Sequence, residues 1–487
     1  MSTFDADPHL PTVHLRPPRN WLNDPNGLVH HNGHYHVFFQ YNPHGPDHAN
    51  MHWGHFRSPD LVRWELMPVA LAPTPGGEDA DGCYSGNAVS DGDRLIAFYS
   101  AYRTDRWWQP VTTATSTDAG TNFVKRPLAM PQPPAGTTMF RDPYVWRQDH
   151  RWRMLVGASM VDGSAAALLY ESPDLKAWSY QGQFAAGDPG TGTGWECPQY
   201  ATFGERGALI VSHWHPQHGP QRVLAYTGRE HGGRFVTGDP VPLDHGPDFY
   251  APALLPAPDG RWLLWGWAPE ARSPDWVGDA GWAGVLTLPR ELSLTEDGTL
   301  RQQPARELFG LRTRRILHHT GQVARQPVEI GQLGGSFDLT ASLRRDRRHC
   351  AGLRLITSAD AGEYLDISHD PTTGQIVVDR DHASHDPRAR GGIYTMPYPY
   401  AGTPEATTEL RIIADRSIIE FFTPHGQVLT LRTYPTGSVP WILQAHAGHT
   451  GTAQFAVDAW QIGHDTTHVE RRPAKSVRRN EHGKIHE

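Results

Sequence analysis

The chain has 487 residues, of which 38% are hydrophobic and 20% are charged, a composition typical of a soluble globular protein. Its length predicts more than one domain and a sizeable core. The formal net charge of −8 at pH 7 is mild for this length and argues against a nucleic-acid polyanion as the main partner. No apolar run reaches the roughly 18 residues of a membrane span, so a membrane-embedded protein is not expected.

The location of the protein is predicted from its first residues and its cysteines. Residues 1–19 lack the apolar core of a secretory signal peptide. The three cysteines, Cys83, Cys197 and Cys350, are odd in number and widely spaced, which suggests neither a disulfide framework nor a zinc knuckle. These features favour a reducing, cytoplasmic location.

Strand-like runs of aromatic and apolar residues recur along the chain, each after a turn rich in Gly, Asp or Asn. They begin at Tyr35, Leu95, Trp152, Ala208 and Trp262. A second echo, a Ser-x-Asp turn, begins at Ser58, Ser116 and Ser172. Both echoes keep a period near 57 residues, which fits one four-stranded sheet, and radial repetition of such sheets gives a β-propeller. The alternative is a β-sandwich with coincidental spacing, but two echoes in phase favour the propeller.

The repeat also predicts the domain organisation. Five units cover about residues 20–311 and indicate a five-bladed propeller within residues 1–315. Strand-like runs without this rhythm follow at 334–464 and predict a separate β-sandwich, joined to the propeller by a linker at 316–333. The polar segment 465–487 is interpreted as a loose tail. The predicted fold is therefore all-β, a five-bladed β-propeller followed by a C-terminal β-sandwich.

Each predicted blade opens with a short strand of unusual polar content, just ahead of its turn. In a propeller the first strand of each blade lines the central axis, so residues at equivalent positions meet in one funnel. This reasoning places Asp24, Asp142 and Glu196 at equivalent positions and brings them together, although they are far apart in sequence.

Three carboxylates in a Trp-rich pocket repel one another, and burial and like charge keep at least one of them protonated near neutral pH. One carboxylate that attacks and one acid that protonates the leaving oxygen are the apparatus of glycoside hydrolysis. Arg141 adds a planar fork of donors for sugar hydroxyls or a carboxylate. An Asp before Pro, as at positions 24 and 142, is more often a turn-maker. A Glu between Trp195 and Cys197 is costly to bury unless it is paired or functional.

Two groups of histidines are the other candidate chemistry. They are His30, His31, His34 and His36, and His213, His215 and His218. Alternate histidines on a strand could bind zinc, but no carboxylate or cysteine stands at a typical ligand spacing. The chain also lacks a nucleophile elbow, a P-loop and a dinucleotide fingerprint in context. The sequence therefore predicts neither a metal nor an organic cofactor.

A series of motifs over about residues 14–460 resembles those of the invertase family, glycoside hydrolase family 32, in the family's order. They are Trp21-Leu22-Asn23-Asp24-Pro25-Asn26-Gly27, Phe39-Gln40-Tyr41-Asn42-Pro43, Trp53-Gly54-His55, Phe140-Arg141-Asp142-Pro143, Trp195-Glu196-Cys197-Pro198, Asp248-Phe249-Tyr250-Ala251, Trp265-Gly266-Trp267, Gly281-Trp282-Ala283-Gly284, Leu288-Pro289-Arg290-Glu291-Leu292 and Asp415-Arg416-Ser417-Ile418-Ile419-Glu420. The resemblance implies a five-bladed propeller followed by a β-sandwich, in agreement with the repeat count.

The resemblance also implies an activity: a retaining β-fructofuranosidase that cleaves terminal β-fructofuranosyl bonds of sucrose and short fructooligosaccharides through a covalent fructosyl-enzyme intermediate. It implies that Asp24 is the nucleophile, Glu196 the acid/base and Asp142 the transition-state stabiliser. The positions that it implies for binding the fructosyl unit are Asn23, Gln40, Trp53, Ser85, Arg141 and Trp267. A small sugar is the implied partner, and no cofactor is implied.

One departure from the family leaves the preferred fructoside open. Tyr84-Ser85-Gly86-Asn87 stands where the family often has Trp-Ser-Gly-Ser, and such exchanges can accompany a shift between hydrolysis and transfer. The sequence therefore leaves two alternative functions open: a fructosyltransferase that uses the same double displacement, and a non-catalytic fructan-binding protein. The three intact carboxylates argue against the second. The oligomeric state is also open, because the second domain could form a homo-oligomer interface or could only brace the propeller.

Overall fold

A computed structural model describes residues 7–188, 194–346, 349–398, 405–448 and 451–463. Nearly all the regular structure of these residues is β-strand. One short helix, α1 (Pro274–Ala280), and one 3-10 helix (Arg306–Leu311) are the exceptions within them. None of the helices in this part of the chain has the length and apolarity needed to cross a membrane. The tail predicted at 465–487 lies outside the described residues.

Five sheets make up the N-terminal part of the chain. The first contains β1 (Asn20–His31), β2 (His34–Asn42), β3 (His52–Ser58) and β4 (Glu65–Leu66). The second contains β5 (Gly82–Asp91), β6 (Arg94–Tyr102), β7 (Val111–Ser116) and β8 (Val124–Lys125). The third contains β9 (Thr137–Gln148), β10 (Arg151–Met160), β11 (Ala165–Ser172) and β12 (Ser179–Ala186). The fourth contains β13 (Gly194–Phe203), β14 (Arg206–His215), β15 (Gly219–His231), β16 (Arg234–Thr237) and β17 (Val241–Pro242).

The fifth sheet contains β18 (Tyr250–Pro256), β19 (Trp262–Ala268), β21 (Val285–Leu286), β22 (Arg290–Leu294) and β23 (Leu300–Pro304). Between α1 and β21, the short strand β20 (Trp282–Ala283) pairs in parallel with the beginning of β1 and so joins the last part of the ring to the first sheet.

The five sheets form a closed ring. The first strand of each sheet contacts the first strand of the next, from β1 through β5, β9 and β13 to β18, and β18 in turn contacts β1. The second strands β2, β6, β10, β14 and β19 lie where the sequence repeat predicts strands. The predicted β-propeller is therefore confirmed, and each innermost strand faces the central axis.

The Ser-x-Asp echo marks structural turns after the third strand of a blade. Ser58 Oγ accepts a hydrogen bond from the Asp60 N–H at 3.1 Å, and Asp60 Oδ1 accepts one from the Arg63 N–H at 2.8 Å. The same Ser–Asp arrangement recurs at Ser116 and at Ser172. The interpretation of these motifs as turns is confirmed.

The C-terminal part consists of two six-stranded sheets. One contains β24 (Arg312–Val323), β26 (Ser336–Asp346), β31 (Glu405–Asp415), β32 (Ile418–Phe422), β33 (Val428–Arg432) and β35 (Ala453–Ile462). The other contains β25 (Val328–Leu333), β27 (Ala351–Ile356), β28 (Tyr364–Asp370), β29 (Gln375–Asp379), β30 (Ile393–Pro397) and β34 (Trp441–Ala447). Apolar side chains from both sheets share one core, as in a β-sandwich.

The structure contradicts the linker that the sequence predicts at 316–333. The last two thirds of β24 and all of β25 lie in this stretch, so the sandwich begins directly after the 3-10 helix. β24 lies at the edge of its sheet, and most of its side chains are exposed or only partly buried. The apolar alternation that reveals a half-buried strand is therefore missing from its sequence.

Buried ion pairs join the two domains. Arg290 of the propeller lies 2.7 Å from Glu420 of the sandwich, and Asp248 of the propeller lies 2.6 Å from Arg380 of the sandwich; all four side chains are almost fully buried. The N-terminal segment adds His14, whose two ring nitrogens lie 3.1 Å from Asp415 and from Glu420. These contacts agree with a bracing role for the sandwich.

Candidate active site

Each innermost strand of the propeller contains a β-bulge at the same level of the ring. At this level two residues of the inner strand face one residue of the second strand, which bends the chain and re-aims its side chains. The bulged pairs are Asn23-Asp24, Tyr84-Ser85, Asp142-Pro143, Cys197-Pro198 and Ala251-Pro252. Because the ring is closed, the five bulges surround one funnel.

The three carboxylates stand at three successive positions relative to the bulge. Glu196 immediately precedes it, Asp142 is the first bulged residue and Asp24 is the second. The expectation that they share one equivalent position is therefore wrong by one or two residues. All three nevertheless line the same cavity, since neighbouring positions around a bulge point into the funnel together.

Asp24 is oriented by two side-chain donors. Ser85 Oγ donates to Asp24 Oδ2 at 2.6 Å, and Asn23 Nδ2 donates to Oδ1 at 3.0 Å. Trp21 Nε1 donates to the Asn23 side-chain oxygen at 2.7 Å and so fixes the orientation of that amide. Burial raises the pKa of Asp24 above its ordinary value, and the bonds from Ser85 and Asn23 limit that rise. These two donors stabilise the anion and fix its direction, as a nucleophile requires.

Arg141, Glu196 and Tyr250 precede the bulge in three successive blades and form a hydrogen-bonded row. Arg141 Nη1 donates to Glu196 Oε1 at 3.1 Å, and the Tyr250 hydroxyl lies 2.8 Å from Glu196 Oε2. The same hydroxyl lies 3.0 Å from the carbonyl oxygen of His213. With its single proton, Tyr250 donates to a Glu196 carboxylate, or donates to the carbonyl and accepts from protonated Glu196.

The row therefore accommodates both protonation states of Glu196. Burial raises the pKa of Glu196, and Arg141 and Tyr250 hold it down. A carboxyl group that is satisfied in both states is suited to give up a proton in one step and to take one back in the next.

Asp142 is the third carboxylate. Its backbone has a left-handed φ of 64°, and its N–H donates to Ser100 Oγ at 2.7 Å. The backbone N–H of Cys197 donates to Asp142 Oδ2 at 3.1 Å. Burial, followed by repulsion from Glu196, raises the pKa of Asp142 to about 8. Because the two carboxyl groups repel each other, the pair retains a proton at neutral pH.

The thiol of Cys197 separates Asp24 from Asp142. Its Sγ lies 3.8 Å from Asp24 Oδ2 and 3.7 Å from Asp142 Oδ2. Burial and the nearby carboxylates raise the thiol pKa well above its usual range, so the group is neutral. It fills the space between two acidic groups without adding charge.

The three carboxyl groups and their neighbours line a cavity of about 270 Å³. The sequence-predicted residues among them are Asn23, Asp24, Gln40, Ser85, Arg141, Asp142, Glu196 and Trp267. Gln40 is fixed by a bond from Nε2 to the carbonyl oxygen of Cys83 at 3.0 Å. The cavity thus presents amide, hydroxyl, guanidinium and carboxyl groups over a small volume, as recognition of a sugar ring requires.

The structure places Trp53, which the family resemblance implies as a substrate-binding residue, outside the cavity. Its side chain is fully buried outside the cavity, and its Nε1 donates to the carbonyl oxygen of Tyr84 at 3.1 Å. β3 is the third strand from the axis, which places the indole behind the strand that carries Ser85. Trp53 therefore supports the site and does not face it.

Five lining residues were not predicted as binding residues: His48, Tyr84, Trp214, Pro220 and Tyr250. Rings along one side of the cavity form an aromatic row, in which the Trp21 centroid lies 5.8 Å from those of Trp267 and His48, and His48 lies 5.9 Å from Tyr84. Ring faces suit the apolar face of a sugar. Tyr84 and Tyr250 lie within the quoted motifs, whereas the other three carry no sequence signal.

The histidine groups do not form a metal site in the described part of the chain, where no three His, Cys, Asp or Glu side chains are placed to hold an ion. His36 Nδ1 instead lies 2.9 Å from Nε2 of His55, and His31 contacts Ser90 at 2.8 Å. Burial lowers the pKa of His36 to about 4, so this histidine is neutral at neutral pH.

Comparison with known proteins places both domains in one family. Residues 14–304 match the glycosyl hydrolases family 32 N-terminal domain, and residues 307–461 match the glycosyl hydrolases family 32 C-terminal domain. The chain is 34% identical over 477 residues to a sucrose-6-phosphate hydrolase of Escherichia coli, which covers 93% of this chain and 95% of the relative. It is 33% identical over 445 residues to a raffinose invertase of Escherichia coli, over 87% of this chain and 89% of the relative.

Solved structures agree with the sequence matches. A family 32 β-fructofuranosidase of Bombyx mori superposes with a TM-score of 0.78 at 27% identity, over 94% of both chains. The sucrose-6-phosphate hydrolase of Lactobacillus gasseri superposes with a TM-score of 0.79 at 27% identity, again over 94% of both chains.

These matches span the propeller, the sandwich and the segment that carries all three carboxylates. They identify the protein as a glycoside hydrolase that acts on fructosides. The chain therefore belongs to glycosyl hydrolase family 32.

Proposed function

We propose that the protein is a retaining β-fructofuranosidase that hydrolyses terminal β-D-fructofuranosyl bonds of sucrose and short fructooligosaccharides. The observation that carries this proposal is the contrast between two carboxyl groups in one cavity. Asp24 is fixed by donors that favour its anion, and Glu196 lies in a row that accommodates both of its protonation states. Double displacement requires this division of roles.

In the first step, an oxygen of Asp24 attacks the anomeric C2 of the fructosyl unit. Glu196 gives its proton to the glycosidic oxygen, the C2–O bond breaks, and the leaving sugar departs as an alcohol. A fructosyl ester of Asp24 remains, and Glu196 is left as a carboxylate that Arg141 and Tyr250 stabilise.

In the second step, the Glu196 carboxylate takes a proton from water, whose oxygen attacks C2. The bond to Asp24 breaks and fructose leaves. Two inversions give net retention, and both Asp24 and Glu196 return to their starting states.

Asp142 stabilises the positive charge that develops on the furanosyl ring in the transition state of each step. When Glu196 holds the proton of the pair, Asp142 is the anion, and the N–H of Cys197 supports that state. An anionic carboxylate next to the furanosyl ring lowers the energy of the oxocarbenium-like transition state. No step needs a metal or an organic cofactor.

The fructosyl unit is proposed to contact Asn23, Gln40, Ser85, Arg141 and Trp267. The names of similar proteins support a small sugar as the substrate: the Escherichia coli relatives are a sucrose-6-phosphate hydrolase and a raffinose invertase, and a variant of the Bombyx mori enzyme is solved in complex with sucrose. A cytoplasmic location agrees with this substrate class and stays a prediction, to be checked by fractionation of cells that express the full chain.

The test is to incubate the purified protein with sucrose and, separately, with 1-kestose, and to quantify glucose and fructose over time. Equal release of glucose and fructose from sucrose is expected. An excess of glucose with longer oligosaccharides would reassign the protein as a fructosyltransferase. If neither substrate yields more fructose than an Asp24→Ala control, the proposal is overturned. The anomeric form of the first fructose released, followed by NMR, tests retention.

A further inference from the structure

The loop between β6 and β7, residues 103–110, lies on the face of the propeller where the cavity opens. Tyr102, the last residue of β6, pairs with Gly82 beyond the bulge that carries Ser85, so the loop continues past the cavity end of the blade. The Tyr102 ring stacks on that of Tyr84, with centroids 4.3 Å apart, and Tyr84 lines the cavity. A pair of stacked rings thus leads from the cavity wall to the beginning of this loop.

Both halves of the loop are anchored to its surroundings. Arg106 donates to the carboxylate of Glu78 at 2.6 Å and to the carbonyl oxygen of Ala101 at 3.0 Å. Trp108 Nε1 donates to the carbonyl oxygen of Pro131 at 3.1 Å. Trp107 stands between these two anchored residues, and 51% of its surface is exposed. Its indole packs edge-on against that of Trp108, with ring centroids 5.4 Å apart, while remaining open to solvent.

The loop also contacts the strand that carries Asp142. The backbone N–H of Gln109 donates to the carbonyl oxygen of Phe140 at 3.0 Å, one residue before Arg141. Trp107 therefore belongs to a loop that is bonded to the strand that carries Asp142.

The size of the cavity requires longer substrates to extend beyond it. Its volume of about 270 Å³ is below the roughly 300–1,000 Å³ of drug-sized small-molecule sites, so the units of a longer oligosaccharide cannot all fit inside it. Further units of an oligosaccharide must cross the rim. A fixed indole can stack on the apolar face of a sugar at little entropic cost, because no side chain has to be ordered on binding.

We propose that Trp107 is a binding platform for the third and later sugar units of a fructooligosaccharide whose terminal fructosyl unit occupies the cavity. The platform selects for chain length and contributes nothing to the chemical step. This inference rests on the proposed function, and it names the substrate class of that site: oligosaccharides of three or more units, preferred over disaccharides.

The test compares Trp107→Ala with the wild type on sucrose, 1-kestose and nystose. We expect kcat/KM for the two oligosaccharides to fall roughly three- to tenfold, the range of one aromatic stacking contact, through a higher KM. The value for sucrose should change less than about twofold, since sucrose has no third sugar unit to contact Trp107. Trp107→Tyr should restore most of the loss because a ring is retained.

Tyr180→Ala is the matched control, because Tyr180 is a similarly exposed aromatic (44%) on the outer strand β12. This substitution should leave kcat/KM for all three substrates unchanged. Equal losses on sucrose and on the oligosaccharides in Trp107→Ala, or no loss on any of them, would overturn the platform. The Kd of nystose for Glu196→Gln, measured with and without Trp107→Ala, gives a second readout independent of turnover. Trp107→Ala should raise this Kd by the same roughly three- to tenfold. Failure of the wild type to cleave any of the three substrates would instead contradict the proposed function.

Discussion

The hydroxyl of Tyr250 lies 2.8 Å from Oε2 of Glu196 and is its hydrogen-bond partner opposite Arg141. Burial raises the pKa of Glu196, and donation from Tyr250 is one of the interactions that lower it. In Tyr250→Phe the carboxylate loses this donor, so the pKa of Glu196 rises. Since the first step needs protonated Glu196, the basic limb of the kcat/KM profile should move to higher pH.

The second step needs ionised Glu196 as a base. Because the substitution raises the pKa of Glu196, a smaller fraction of it is ionised and this step should become slower. We expect kcat on sucrose to fall at least about tenfold, the value of one hydrogen bond to a charged group. Profiles between pH 4 and 9 for wild type and variant provide the measurement. A basic limb that stays in place or moves to lower pH would refute a hydrogen bond from Tyr250 to Glu196 in the working enzyme.

Asp24→Ala and Glu196→Ala should each abolish nearly all turnover of sucrose, but for different reasons. Asp24→Ala removes the atom that bonds to C2, so no covalent intermediate can form on any substrate. Glu196→Ala leaves the nucleophile, so an activated fructoside with a good leaving group should still react. A fructosyl adduct should then accumulate and be visible by intact-protein mass spectrometry.

Circular dichroism of both variants is the control for folding. Unfolding of both would mean that the carboxylates are structural. An adduct on Asp24→Ala would assign the nucleophile to another residue.

Ser85→Ala tests the hydrogen bond at 2.6 Å to Asp24 Oδ2. Burial raises the pKa of Asp24 and the Ser85 bond lowers it, so the substitution should raise that pKa. Because the reaction needs ionised Asp24, the acid limb of kcat/KM should move to higher pH, with a loss of roughly tenfold at the optimum, about the value of one charge-assisted hydrogen bond.

Ser90→Ala is the matched control, since Ser90 lies on the same strand but bonds to His31 outside the cavity. It should leave the pH profile unchanged. An acid limb that does not move in Ser85→Ala, or that moves equally in both variants, would contradict the proposed orientation of the nucleophile.

His14 should stabilise the fold in a pH-dependent manner. Burial opposes its charge, but hydrogen bonds and charges of Asp415 and Glu420 prevail and raise its pKa. A group whose pKa is raised on folding contributes all its stability below its unfolded pKa of about 6.5, and that contribution is lost as pH rises through the folded value. His14→Gln should therefore cost the most near pH 6, about 3–5 kcal/mol of unfolding free energy, and less at pH 9.

Denaturant unfolding at both pH values measures this effect. His318→Gln is the control, because that histidine lies 2.8 Å from Asp458 in an exposed pair. Exposed pairs contribute about 0–1 kcal/mol, so the control should change little. A loss in His14→Gln that is as large at pH 9 as at pH 6 would show that packing, and not charge, accounts for the effect.

The sequence predicted the propeller and the meeting of its carboxylates because both follow from periodicity. Strand spacing repeats from blade to blade, so Asp24, Asp142 and Glu196 could be assigned to innermost strands without any knowledge of the funnel. The bulges were not predictable in this way, since a bulge changes the direction of a side chain without changing the strand signal. For this reason the offset among the three carboxylates was missed.

Residues that depend on three-dimensional packing were the least predictable. Trp53 lies in a family motif, and only its position on the third strand shows that it faces the core. His48 joins the cavity from the connection after β2, where no repeat applies. Trp214 joins it from the end of β14, where the repeat predicts a strand but not which of its side chains reach the funnel. The sequence predicts a linker at 316–333 because the edge strand β24 carries too few buried side chains to show an apolar pattern.

The buried ion pairs between the domains also limit how this protein can change. Asp248 of the last blade faces Arg380, and Glu420 of the sandwich faces Arg290, so each half of the gene encodes counter-ions for the other. A chimera whose foreign sandwich lacks Arg380 and Glu420 would bury Asp248 and Arg290 without partners, at a cost of several kcal/mol. Rim loops such as 103–110 lie away from this seam and are free to diverge. Substrate range can thus evolve at one end of the molecule while the two halves are inherited as a single unit.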